Sequence, residues 1–88
     1  MSWDYEFSDQ ALKQLRKLGA EGKRRIFSYL EQNIAGCADP REFGKALSGE
    51  LGELWRYRTS HYRILCKLQD DRLMVLVIKA GHRKDVYD

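Results

Sequence analysis

Trp3, Tyr5 and Phe7 alternate with Asp4 and Glu6, the period-two pattern of a half-buried strand. Ser8 is a suitable helix N-cap, and Asp9 suits the positive end of a helix dipole. Ala11, Leu12, Leu15 and Leu18 form an apolar stripe at helical spacing that Gly19 ends. A second stripe, Ile26, Phe27, Leu30 and Ile34, predicts a helix from Glu21 to Ala35, closed by Gly36. The short break at Gly19 and Ala20 predicts an antiparallel helical hairpin. Cys37 to Ala46, with the single proline Pro40, is expected to be a loop back to the sheet.

Three strands are predicted after it: Leu54 to Arg58, Tyr62 to Leu68 and Leu73 to Ala80. Thr59–His61 and Asp70–Asp71 are the turns between them. Leu73 to Ile78 is apolar throughout, so this strand is expected to be central and buried on both faces. The tail from Gly81 to Asp88 is expected to leave the sheet. The order β-α-α-β-β-β predicts an α+β fold, with the helical hairpin packed on one face of a mostly antiparallel sheet. With 88 residues, the chain is expected to form one domain, 1–88. A domain of this size buries only about 60–65% of its unfolded surface, so any active site must be built near the surface.

Charge sharpens this picture. Met1 to Glu42 carries seven basic and seven acidic residues, whereas Phe43 to Asp88 carries nine and six, which accounts for the net charge of +3. Between Leu54 and Leu68 lie Arg56, Arg58, Arg63 and Lys67 with no acid, a local field that favours a polyanion. Side chains alternate across a strand, so Tyr62, Ile64, Cys66 and Leu68 should lie under the helices. Arg56, Arg58 and Arg63 should then share the opposite face. Like charges set side by side repel unless an anion sits between them, and guanidinium forks match phosphate oxygens. Tyr87 could stack on a base.

Other classes are disfavoured. Met1 to Phe7 has no apolar signal-peptide core, and no apolar run approaches the roughly 18–20 residues that span a membrane. Cys37 and Cys66 lack metal-ligand spacing and suit free thiols in a reducing, cytoplasmic setting. No metal site and no cofactor are expected.

The run from Trp55 to Leu65, the run from Val75 to Tyr87 and the start from Tyr5 to Gly19 together resemble the RelE family of bacterial toxins, part of the RelE/ParE superfamily. Tyr62-Arg63, Gly81-His82-Arg83 and Val86-Tyr87 carry the likeness most specifically. The resemblance implies the toxin of a type II toxin–antitoxin system, an mRNA endonuclease that enters the ribosomal A site. The ribose 2′-hydroxyl would attack the adjacent phosphate without a metal, giving a 2′,3′-cyclic phosphate. It implies that Arg63 stabilises charge on the phosphate, that Arg83 protonates the 5′-oxygen leaving group and that Tyr87 stacks on the message. Arg56 falls where the family can carry a lysine proposed as general base, and Leu54 occupies a second basic position of the pattern. Arginine, with a pKa above about 12, is a poor base, so the base is unassigned. His61 and His82 are the side chains whose ordinary pKa lies near 7, and His82 is favoured as an accessory. Arg58, His82 and Lys45 are candidate RNA contacts.

The implied partners are a cognate antitoxin protein and mRNA on the 30S A site with its rRNA. Neither membrane nor DNA is expected for the toxin alone, operator binding coming only through the antitoxin complex. Two alternatives stand beside this reading: a ParE-like gyrase-inhibiting toxin without nuclease activity, and an inactive RNA-binding module. Arg83 with Tyr87 favours the nuclease.

Overall fold

The computed structural model describes residues 2–47 and 54–82. Strand β1 (Asp4–Phe7) leads into one helical run, α1 (Asp9–Tyr29), extended by a wider π-type turn at Leu30–Ile34. A 3-10 turn at Pro40–Glu42 precedes β2 (Lys45–Ala46), followed by β3 (Leu54–Thr59), β4 (Tyr62–Gln69) and β5 (Met74–His82). The five strands form one sheet in the order β1-β5-β4-β3-β2. Among the described residues, the β1–β5 pair is parallel and the other strand pairs are antiparallel.

The helical run is capped where expected: Ser8 Oγ accepts from the Ala11 amide at 3.1 Å. Gly19 sits at φ 82° and bends the run. Laid straight, Asp9 to Ile34 would extend about 39 Å at 1.5 Å per residue, longer than the 33 Å molecule. Two contacts show that the chain doubles back on itself. The Gly36 amide donates to the Trp3 carbonyl at 2.7 Å, and the Phe7 and Phe27 rings lie 5.1 Å apart. The predicted hairpin is therefore present, with Gly19 supplying a left-handed conformation that side chains disfavour.

Ala11, Leu15, Ile26, Leu30 and Ile34 pack on Tyr57, Tyr62, Ile64, Cys66, Val75, Val77 and Ala80, forming the main core. Leu12 and Phe27, expected in the buried stripes, are exposed. They stand about 100° round the helix from Ala11 and Ile26, beyond the strip that meets the sheet. Burial pushes the Tyr57 phenol and the Cys66 thiol far above their usual ranges, so both are neutral packing groups. Both cysteines are free, and burial also raises the Cys37 thiol.

Three expectations need correction. The central strand is β4, not β5, and Tyr62 to Cys66 are all buried. In β5, Met74, Leu76 and Ile78 are only half-buried. The apolar run misleads because of a bulge: Leu65 faces Lys79 but Cys66 faces Val77, so one residue is extra. The core positions therefore run Val75, Val77, Ala80, and Ile78 turns to the other face with Leu65. Second, Gly81 and His82 remain in the sheet, paired with Arg63 and Tyr62. Third, the expected loop from Cys37 to Ala46 contains the 3-10 turn and β2.

Side chains of β3 hold that segment in place. Trp55 Nε1 donates to the Phe43 carbonyl at 2.6 Å, and the Tyr57 hydroxyl donates to the Pro40 carbonyl at 2.9 Å. Gly44, at φ 70°, permits the approach: a Cβ there would collide with the Arg56 carbonyl and lie 2.7 Å from Tyr57 Cδ1. Arg41 forks onto Asp70 at 3.0 and 2.8 Å, tying the segment to the β4–β5 turn. Among the described residues, no helix is long and apolar enough to cross a membrane.

Candidate nucleic-acid interface

The face away from the helices is built in rows, because directly paired residues project to the same side. One row runs Lys45, Arg56, Leu65, Lys79 across β2 to β5. The next runs Arg58, Arg63, Gly81. The expected grouping of Arg56, Arg58 and Arg63 is therefore present, with Arg58 and Arg63 directly opposite each other. Lys45 joins it as the cross-strand neighbour of Arg56. Gly81 has no side chain to crowd its partner Arg63.

Arg63 is 4% exposed although it lies on the face opposite the main core. Beside it, Leu65 packs with Leu47, Leu54 and Ile78 in a smaller apolar cluster. A guanidinium shielded from water attracts an anion more strongly than one in bulk water, since less solvent screens it. Two arginines face to face at the middle of a sheet oppose folding through repulsion. An oxyanion between them would reverse the sign of that effect.

At the outer edge of β3 these residues border an open depression of about 320 Å³, lined by Tyr29, Gly44, Lys45, Arg56 and Arg58. Tyr29 comes from the helical run, and its ring lies 5.8 Å from that of Tyr57. Neither Tyr29 nor Lys79 was singled out from the sequence. The even spacing of Lys79 and Gly81 was a usable signal for Lys79, whereas Tyr29 is brought in only by the hairpin.

The two histidines stand apart from this face. His82 pairs with Tyr62, and their rings lie 4.9 Å apart at 39°. Tyr62 belongs to the helix-side core, so His82 projects to that side and away from Arg63. His61 is exposed in the β3–β4 turn. Leu54 takes part in the small apolar cluster of the basic face. Arg83 and Tyr87 lie outside the described residues. No group of three or more potential metal ligands occurs among the described residues.

The fold, a helical hairpin on one face of this mixed sheet, matches that of solved RelE structures. The structure is similar to a chain of the RelBE2 toxin–antitoxin complex of Mycobacterium tuberculosis, with TM-score 0.74 and 26% identity over 97% of this chain and 95% of that one. It is also similar to the isolated RelE toxin of E. coli, with TM-score 0.72 and 25% identity over 92% and 84% of the two chains. The curated protein Toxin RelG of Mycobacterium tuberculosis is 25% identical over 87 residues, covering 99% of this chain and 98% of the relative. The family described as "ParE toxin of type II toxin-antitoxin system, parDE" matches residues 5–87. The chain belongs to this family and is a toxin of a type II toxin–antitoxin system.

Proposed function

We propose that this toxin is an endoribonuclease that cuts mRNA in the ribosomal A site and so stops translation. The observation that carries the reading is the buried Arg63 facing Arg58 across two strands, with Arg56 and Lys45 in the adjoining row. This arrangement suits the charge that gathers on a phosphate when a ribose 2′-hydroxyl attacks it. The bond from the 2′-oxygen to phosphorus forms as the 2′-hydroxyl proton passes to solvent water, and the bond to the 5′-oxygen of the next nucleotide breaks. A 2′,3′-cyclic phosphate is the first product.

In this scheme Arg63 stabilises the phosphorane oxygens, and Arg58 and Lys45 hold neighbouring phosphates. Arg83 protonates the leaving 5′-oxygen and Tyr87 stacks on the message. Arg56 stays charged and serves as a second anion contact rather than a base. His82, packed against Tyr62 on the other face, is better placed to hold the end of β5 than to reach the reacting phosphate. Alignment of the 2′-hydroxyl by the ribosome supplies much of the rate without a strong base. The whole chain, 1–88, acts as one cytoplasmic domain, with no cofactor. A cognate antitoxin neutralises it by covering the basic face or by displacing the tail.

The ParE description of the matched family favours one other reading, a toxin that inhibits gyrase without cutting RNA. Brief, tightly controlled expression followed by mapping of mRNA 5′ ends separates the two. Cuts within codons of translated messages are expected. Intact messages with altered plasmid supercoiling would replace the nuclease with the gyrase inhibitor.

A further inference from the structure

A second depression, of about 230 Å³, adjoins the one at the β3 edge. Tyr29 lines both, and Thr59 in the second follows Arg58 of the first along β3. The remaining walls come from the second half of the helical run: Arg24, Arg25, Ser28, Gln32 and Asn33. β2 pairs only with Trp55 and Arg56, so among the described residues the β3 edge beyond Arg56 has no strand beside it. The basic surface therefore continues past Tyr29, from the sheet face around this edge and onto the hairpin.

None of the described residues lining either depression is acidic, while five are cationic. Glu21 reaches Arg24 and Arg25, both at 3.4 Å. All three side chains are largely exposed, so these pairs are weak and either arginine can exchange its carboxylate for a phosphate. Hydroxyl and carboxamide groups between the charges suit sugar and base edges, and a tyrosine midway offers a stacking edge. Alternation of cations, small polar groups and an aromatic ring fits a single-stranded polynucleotide better than an acidic protein segment.

We infer that this groove is a flanking subsite for single-stranded RNA, holding backbone phosphates outside the reacting nucleotide. The inference rests on the proposed nuclease reading and extends it to nucleotides beyond the cut. It makes affinity depend on strand length: a short oligomer fills the Arg63 face alone, and a longer one also engages Arg24 and Arg25.

The test uses the full chain, made by chemical peptide synthesis, and RNA with 2′-O-methyl riboses so that no cut can occur. Binding is followed by fluorescence anisotropy for oligomers of about four and about twelve nucleotides. The double change Arg24→Ala with Arg25→Ala should weaken the long oligomer about tenfold and flatten its salt dependence, leaving the short one unchanged. Lys13→Ala with Lys17→Ala removes the same charge from exposed helical positions outside both depressions and should leave both affinities within about twofold. Unchanged binding of the long oligomer, or equal weakening of both lengths, overturns the subsite. Loss confined to deproteinised ribosomal RNA used as competitor also overturns it, in favour of a site for folded RNA. Cutting plays no part in this readout. Messages cut in cells beside a failed length effect would sink only the groove, and a length effect beside uncut messages would sink only the nuclease.

Discussion

The two faces of β4 are made from alternate residues of one strand, yet they follow different physical rules. Tyr62, Ile64 and Cys66 enter the core beneath the helices, where each buried apolar group adds stability. Arg63, one residue along, is almost as buried, but it places a permanent charge opposite another arginine. Packing explains the first set. The second set puts like charge opposite like charge, a repulsion that an anion bound between the arginines would offset. A strand can thus carry its fold on one side and its chemistry on the other, with the core positions keeping the charged ones in register.

Ile64→Ala tests that division most severely. Ile64 is fully buried, so its truncation should cost about 2–5 kcal/mol, a large share of what an 88-residue domain has. Denaturant unfolding should show the loss, with toxicity falling because the chain unfolds. Arg63→Met should do the reverse. Cutting should drop about 10²–10³-fold while stability stays within about 1.5 kcal/mol of the parent. A collapse of the fold in this variant would show that Arg63 is structural and erase the contrast between the faces.

Gly44→Ala probes the segment that brings Lys45 to Arg56. The left-handed backbone and the collision with β3 should together cost about 1–3 kcal/mol, read as a lower Tm. Arg58→Gln should relieve repulsion and raise stability by a few tenths of a kcal/mol while weakening RNA binding at low salt. If that binding defect persists undiminished at high salt, Arg58 is not a phosphate contact.

The smallest expected effect lies away from both faces. The Arg41 guanidinium holds the Asp70 carboxyl below the usual carboxylate range. A depressed pKa means that the bridge contributes above the ordinary aspartate pKa of about 3.9 and is lost as acid protonates Asp70. Asp70→Asn should therefore lower Tm slightly at neutral pH, and the difference should vanish in strong acid. A difference that is unchanged at low pH would assign the effect to the turn and not to the ion pair.

Much of this was legible before any coordinates. Period-two alternation is a local property, so it placed Arg56, Arg58 and Arg63 on one face and Ile64 and Cys66 on the other. Ser8 and Gly19 marked where the helical run begins and turns, because capping and left-handed backbone depend on the nearest residues. The placement of β5 was not legible in the same way: an apolar run is equally compatible with a central strand and with a bulged one beside the edge. Parallel pairing with β1, at the far end of the chain, made β5 the second strand and β4 the centre.

The chain alone determined the first strand, the helical hairpin and the three long strands, the inner and outer faces of Leu54 to Leu68, and the excess of cations over acids in its second half. Tertiary structure decided which cations meet. It set Arg58 against Arg63 and Lys45 beside Arg56, kept His82 on the Tyr62 side, and brought Tyr29 from the hairpin to the sheet edge. Local patterns record backbone period and capping. Strand order, bulges and close approaches arise from contacts between residues far apart in the chain, and the basic face took its form from those contacts.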